Sequence, residues 1–343
     1  MKQIVVVAAG TGGHVIPALT FAKRWSKENN GSFIFISGRK KVDEIVLHSF
    51  GITSYIQYHL RNLPGKQLWL YPLFIFQFFL TFFKSFWFFK KQKPEFVYST
   101  GGLLAVPICL AAYWCSIPII LHELNAKPGK AILFLSSYAS TIFITLAETK
   151  LCFKSIKAKI EVIPYPVRFT HEDSKIQKTE ALLVIQQRTN ISFDSSKKTL
   201  LVIGGSQGSQ FLNERIQDWI ETLTSEQKAK LQILHQAGTN NVSTIKKWYE
   251  HQTIVAYVFG FESTMQYFYA AADFAVGRAG AGTLFELLFF KKRSLLVPLE
   301  KQADDHQTPN AQALVNQYPH LFNRITQKTF KNHPELLTNY LFR

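Results

Sequence analysis

The chain has 343 residues, 47% of them apolar and only 18% charged, which excludes a disordered or linker-like protein and suits two ordinary domains or one large one. Lysine and arginine number 39 against 23 acids, a net charge of +16, so the partner is expected among nucleic acid, an anionic membrane or an anionic ligand. The same chain carries 30 phenylalanines, and one explanation has to cover both the charge and the aromatics.

Lys2 precedes a short apolar run at 4–9 that ends in a Gly-rich turn, which predicts a buried first strand and not a signal peptide. Further strands are expected at 33–37, in the stretch ending near Ser99, in "IPIILHELN" and in "TIFITL". These runs are continuously apolar, as parallel strands covered on both faces require. From 164 to 198 the chain turns polar and Pro-bounded, and then "TLLVIGGSQGS" restarts the strand, Gly-turn, helix pattern. "LQILHQ", "IVAYVF", "DFAVG" and "RSLLVPL" supply more strands. The pattern predicts two doubly wound α/β domains, 1–163 and 164–330, with a ligand held in the cleft between them. Cys109, Cys115 and Cys152 show no metal spacing and are odd in number, so a reducing cytoplasm is the expected compartment.

Three Gly-rich turns follow apolar strands: Gly10 to His14, Gly101-Gly102, and Gly204 to Gly208, where Ser206 and Gln207 add side-chain donors. Glycines let the backbone approach a ligand, and the next helix aims its first N–H groups at it. Val15 stands where a dinucleotide fingerprint needs its third glycine, which disfavours an oxidoreductase. The segment from Arg278 to Glu286, "RAGAGTLFE", brings a small-residue loop into a helix, with first-turn amides suited to a diphosphate and Glu286 suited to ribose hydroxyls. The polar run at 298–311 suits sugar hydroxyls, or a helix cap at Asp304 or Asp305. No D-x-D metal clamp is present, so no metal or cofactor is expected, and the diphosphate charge falls to helix N-termini, hydroxyls and Arg168.

In chain order, "GTGGHVIPA", "STGGLL", "HELN", "YPVR", "GGSQGSQFLN", "RAGAGTLFE" and "DHQTPNA" make the sequence resemble the MurG-type glycosyltransferases of peptidoglycan synthesis, over residues 10 to 311. The resemblance implies the two-domain GT-B fold. It implies inverting transfer of N-acetylglucosamine from UDP-GlcNAc to lipid I, giving lipid II, by a peripheral enzyme on the cytoplasmic face of the bacterial inner membrane. It also implies that Thr11, Gly12 and Gly13 border the diphosphate and acceptor, that Asn125 and Gln307 contact the GlcNAc hydroxyls, and that Arg168 and Ser206, beside Gln207, meet the donor diphosphate. Phe261-Glu262 would bind uracil through the backbone. Ala281, Gly282, Thr283, Leu284, Phe285 and Glu286 would hold phosphate and ribose, and residues 331–343 would return to the first domain. Tyr165, Leu124 and Leu103 depart from the family's usual Asn, Gln and Tyr.

Displacing UDP needs a base near the acceptor hydroxyl. His14, at the mouth of the first Gly loop, ranks first because imidazole titrates near neutrality. Glu123 ranks second, with His122, Asp305 and His306 behind.

Residues 68–89 carry twelve aromatics, and their polar residues Gln77, Thr81, Lys84 and Ser85 form one narrow helical stripe. The length approaches a membrane span, but crossing would split a sheet, so a helix lying in the interface is expected. Between 45 and 147 the acids are Glu95 and Glu123, against Arg61, Lys66, Lys84, Lys90, Lys91, Lys93, Lys127 and Lys130, which suits an anionic membrane surface. A nucleic-acid protein would interleave bases with exposed aromatics, and this chain gathers its aromatics into one apolar helix instead. The nearest rival is a related GT-B enzyme acting on diacylglycerol or a lipid A precursor.

Overall fold

The computed structural model describes residues 2–10, 12–154, 156–205, 208–300 and 305–342. It divides into two compact units, Met1–Arg168 and Phe169–Arg343. The boundary falls after the Pro-bounded "YPVR", because Arg24 Nη2 donates to the Val167 carbonyl at 2.6 Å and ties that stretch to the first unit.

The first unit runs β1 (Gln3–Val7), α1 (Gly12–Asn29), β2 (Ser32–Ser37), α2 (Lys41–Ser49), β3 (Ile56–Gln57), α3 (Tyr71–Gln92), β4 (Val97–Ser99), α4 (Ala105–Trp114), β5 (Ile119–Glu123), α5 (Lys130–Leu135), β6 (Thr141–Ile144) and β7 (Lys159–Val162). The sheet order is β3-β2-β1-β4-β5-β6-β7, and each pairing is parallel. Val5, Val7, Val97, Ile119, Leu121 and Ile142 form its buried centre, as the continuous apolar runs require.

The second unit runs α6 (Lys178–Thr189), β8 (Lys198–Ile203), α7 (Gln210–Glu221), α8 (Ser225–Ala229), β9 (Leu231–Gln236), α9 (Val242–His251), β10 (Val255–Phe259), α10 (Met265–Ala271), β11 (Phe274–Gly277), α11 (Ala281–Phe289), β12 (Ser294–Leu296), α12 (Gln307–Gln317), β13 (Phe322–Arg324), α13 (Gln327–Asn332) and α14 (Leu336–Leu341). Its parallel sheet is ordered β10-β9-β8-β11-β12-β13. The tail helices α13 and α14 pack within this unit. Phe330, Leu337 and Leu341 are buried with Trp219, whose indole N–H donates to Thr338 Oγ1 at 3.0 Å. The leucines one turn apart on α14 find their apolar partner here.

Helix α3 is built inside out. It buries Thr81 and Ser85 beside Phe74 and Phe89, and each hydroxyl bonds back to a carbonyl four residues earlier, on Gln77 and Thr81, at 2.8 Å. Of the polar stripe, Thr81 and Ser85 therefore face the protein, with Gln77 half-buried and Lys84 exposed. Phe76 (63% exposed), Phe79, Phe83 and Trp87 (70%) line the opposite, outward face. The helix ends where Lys93 takes a left-handed conformation (φ +47°) before Pro94.

Candidate active site

In each sheet the strand order reverses once, between β1 and β4 in the first and between β8 and β11 in the second. Neighbouring loops diverge at such a switch point and leave room for a ligand beyond the strand carboxyl ends. All three Gly-rich turns and the Arg278 to Gly282 loop lie at these two places.

In the first unit, Gly10 turns the chain at φ +102°, a conformation that costs glycine little, and α1 begins at Gly12 and Gly13. Thr11 lies outside the described residues. His14 is half-buried, and its ring Nδ1 sits 2.9 Å from the Thr100 carbonyl, while Thr100 Oγ1 donates to the His14 carbonyl at 3.1 Å. A carbonyl only accepts, so Nδ1 carries the proton and, in the neutral ring, Nε2 carries the lone pair. The adjoining turn is held by Gly101 N–H donating to Ser99 Oγ at 3.1 Å, with Gly101 and Gly102 at φ +93° and +87°.

Glu123, the second candidate base, is corrected to a loop anchor. It is buried; Oε1 accepts from the Asn125 backbone and side-chain amides at 2.8 and 3.0 Å, and Oε2 accepts from Gly129 N–H at 2.9 Å. A carboxylate engaged at both oxygens is poorly placed to take a proton from a substrate. It orients Asn125 instead. His122 is a core residue between Tyr98 OH (2.6 Å) and Thr145 Oγ1 (3.2 Å), and burial pushes its pKa down to about 3.

In the second unit, Gly205 and Gly208 have φ of +86° and +75°, and Ser209 caps α7 by accepting from Leu212 N–H. Ser206 and Gln207 lie outside the described residues. Arg278 pins three loops from a buried position. Its Nε donates to Ser209 Oγ at 3.0 Å, Nη1 to the Val297 and Pro298 carbonyls at 3.0 and 3.2 Å, and Nη2 to Gln327 Oε1 at 3.1 Å. Desolvation lowers its pKa to about 10, which leaves it charged at neutral pH. Gln307 Oε1 accepts from Ala279 N–H (3.2 Å) and Leu299 N–H (2.9 Å), joining the loops after β11 and β12; its Nε2 takes no part in this clamp. Asp305 Oδ1 accepts from Thr308 N–H at 3.0 Å, but the residue at the N-cap of α12 is His306, not the expected Asp304 or Asp305. Burial works against the charge of Asp305, but hydrogen bonds from Thr308 and Gln307 prevail and hold it below the usual carboxylate range.

Ala281, Gly282 and Thr283 form the half-exposed first turn of α11, and Phe285 is half-buried one turn on. The Leu284 side chain is fully buried, so its backbone is the part that could meet a ligand. Glu286 is buried and accepts from Tyr269 OH at 2.7 Å, which sets its rotamer. Phe261 and Glu262 follow β10 at the sheet's edge. Glu262 Oε1 accepts from Thr264 N–H and Oγ1 at 2.9 and 2.7 Å, and Arg188 on α6 bonds both Thr264 Oγ1 and, at 3.5 Å, Glu262. Arg168, half-buried, ends the first unit. Among the described residues no group of three or more His, Cys, Asp or Glu side chains could hold a metal ion.

The glycosyltransferase family 28 N-terminal domain matches residues 4–144 and the family's C-terminal domain matches 199–340, one on each unit. A Pelagibacter ubique protein named UDP-N-acetylglucosamine--N-acetylmuramyl-(pentapeptide) pyrophosphoryl-undecaprenol N-acetylglucosamine transferase is 31% identical over 98% of this chain and 86% of its own length. The chain belongs to the MurG-type glycosyltransferases of family 28. A Myxococcus xanthus protein of the same name is 29% identical over 98% of the chain and 86% of its own length. The crystal structure of Acinetobacter baumannii MurG superposes with a TM-score of 0.71 at 25% identity, covering 99% of this chain and 91% of that one. As a MurG-type glycosyltransferase the chain has the two doubly wound domains of the GT-B fold.

Asp43 and Thr100 are functional candidates that sequence reasoning missed. Asp43 lies at the start of α2, yet its carboxylate receives the Gly10 N–H. An acid near the end of the second strand of a doubly wound fold was the available signal.

Proposed function

We propose that this chain transfers N-acetylglucosamine from UDP-GlcNAc to the muramyl sugar of lipid I, with inversion, releasing UDP and forming lipid II. The observation that carries this reading is the 31% identity, over 98% of the chain, to a relative named for that transfer. The site residues fit it. His14 Nε2 removes the proton from the acceptor hydroxyl as that oxygen bonds to the anomeric carbon, and the C–O bond to the diphosphate breaks with its electron pair leaving on UDP. Negative charge grows on the diphosphate in the transition state, so the amides of Gly12, Gly13 and the α11 first turn, with Arg168, stabilise it more than the ground state. Glu286, set by Tyr269, accepts from the ribose hydroxyls. Asn125, set by Glu123, and the Nε2 group of Gln307 hold the GlcNAc hydroxyls. The backbone at Phe261 and Glu262 reads the uracil. Ser206 and Gln207 join the diphosphate contacts by resemblance alone.

The acceptor is a lipid, and the outward face of α3 supports docking on the cytoplasmic leaflet of the inner membrane. Phe76, Phe79, Phe83 and Trp87 are exposed there, Trp69 is exposed in the turn that leads into the helix, and Lys84, Lys90 and Lys91 lie on the same helix. Aromatic side chains favour the interface, and cations there gain about 1 kcal/mol each from anionic lipid. Transfer of labelled GlcNAc to a lipid I analogue tests the reading, and a folded chain that labels no acceptor contradicts it.

A further inference from the structure

We infer that Asp43 is a positioning residue for the reaction, one that holds the first Gly-rich loop in working shape without touching substrate. The inference rests on the proposed transfer for its kinetic consequence and on geometry alone for its structural one. The Asp43 side chain is completely buried. Its two oxygens lie 3.1 and 3.0 Å from Gly10 N, which donates to them, and Oδ2 also accepts from Ser37 Oγ at 3.1 Å. The contact is nonlocal, joining the first turn of α2 to the loop after β1 across 33 residues.

In a dinucleotide-binding sheet an acid in this region turns outward to a ribose. Here it turns inward and takes up the loop's own N–H. Gly10 needs such a tie more than any other residue type would. At φ +102° glycine has many alternative conformations, so an untied loop would sample them and carry the start of α1 with it. His14 lies in that first turn, and its own bond to the Thr100 carbonyl fixes the ring only while the backbone beneath it is fixed. Positioning errors of about 1 Å remote from the reacting atoms cost up to about 100-fold in rate.

Asp43→Ala and Asp43→Asn in the full chain provide the test. Asparagine can offer Oδ1 to Gly10 N–H and Nδ2 to Ser37 Oγ, so it preserves the tie that alanine removes. Asp43→Ala is expected to lower kcat about 10- to 100-fold, with the KM for UDP-GlcNAc within about twofold of the parent because the proposed uracil and ribose contacts lie on the second unit. Asp43→Asn is expected to recover kcat to within about threefold. Amide exchange in a peptide spanning 7–15 should quicken about tenfold in the alanine variant, and the melting curve shows whether the chain as a whole stays folded. Should Asp43→Ala not fold, Ser37→Ala, which removes one of the bonds orienting Asp43, is expected to quicken exchange in the same peptide. Unchanged exchange there, an alanine variant with parental kcat, or equal loss in both Asp43 variants overturns the assignment. A parent enzyme that transfers no GlcNAc would defeat the proposed function while the exchange measurement still judged the tie.

Discussion

The imidazole of His14 shows how a single hydrogen bond can decide a role. Because Nδ1 donates to the Thr100 carbonyl, the basic nitrogen is Nε2, and no tautomer change is needed before it accepts a proton. Replacing His14 with Ala should lower kcat by about 100- to 10,000-fold, while the KM for UDP-GlcNAc moves by no more than about twofold. Steady-state kinetics with each substrate varied in turn checks both numbers, and near-parental turnover would remove His14 from the chemistry. Residues of this kind were legible in the sequence because a Gly-rich turn followed by a helix is a local signal. Gly10, Gly101, Gly102, Gly205 and Gly208 all take positive φ, as their place in turns suggested. Asp43, Thr100 and Arg278 were not legible in their roles. Each acts on a loop far away in the chain, and only the parallel register brings them there. Glu123 was misread for the same reason: an acid beside an Asn looks chemical until the path of residues 124–129 shows both oxygens bonded to it.

At the scale of elements, α3 departs most from ordinary packing. A helix on a soluble sheet buries apolar side chains and exposes polar ones, whereas α3 buries Thr81 and Ser85 and exposes Phe76, Phe79, Phe83 and Trp87. Fully burying such a side chain is worth about 1.5–3 kcal/mol, so four of them can hold a protein at an interface even when only partly inserted. Changing Phe76, Phe79, Phe83 and Trp87 together to Ser should weaken flotation with anionic phospholipid vesicles by at least about tenfold and leave the fold intact. Equal flotation of parent and variant would separate α3 from membrane binding. The sequence showed the helix and its polar stripe but not which side the stripe faced, because Thr and Ser can be satisfied by the helix's own carbonyls. The central strands were equally legible. β3, β7 and β13 were not, since two to four residues near a sheet edge carry little apolar signal.

Across the whole molecule, each unit encloses one neutral histidine, His122 in the first and His235 in the second. His235 lies between Tyr249 OH and Asn213 Oδ1 at 2.8 and 3.0 Å, and burial pushes both rings down to about 3. Unfolded histidine protonates near pH 6.5, so between there and about pH 3 the unfolded chain binds more protons than the folded one. Stability is complete above about pH 6.5 and falls on acidification by about 1.4 kcal/mol per pH unit for each ring. Thermal melts from pH 7 to 5, where most carboxylates remain ionised, should show both units losing stability, and a flat melting temperature would contradict the burial of these rings. The first unit carries +13 of the chain's +16 and 17 of its 30 phenylalanines, and there α3 and its lysines would face lipid and the first Gly loop would face a lipid-borne acceptor. That makes acceptor choice the central claim. The direct measurement supplies UDP-GlcNAc with labelled sugar to the full chain, alongside a lipid I analogue or diacylglycerol in matched vesicles. The account predicts label on the lipid I analogue and no more than about a tenth as much on diacylglycerol. Label on diacylglycerol with none on the lipid I analogue would contradict it.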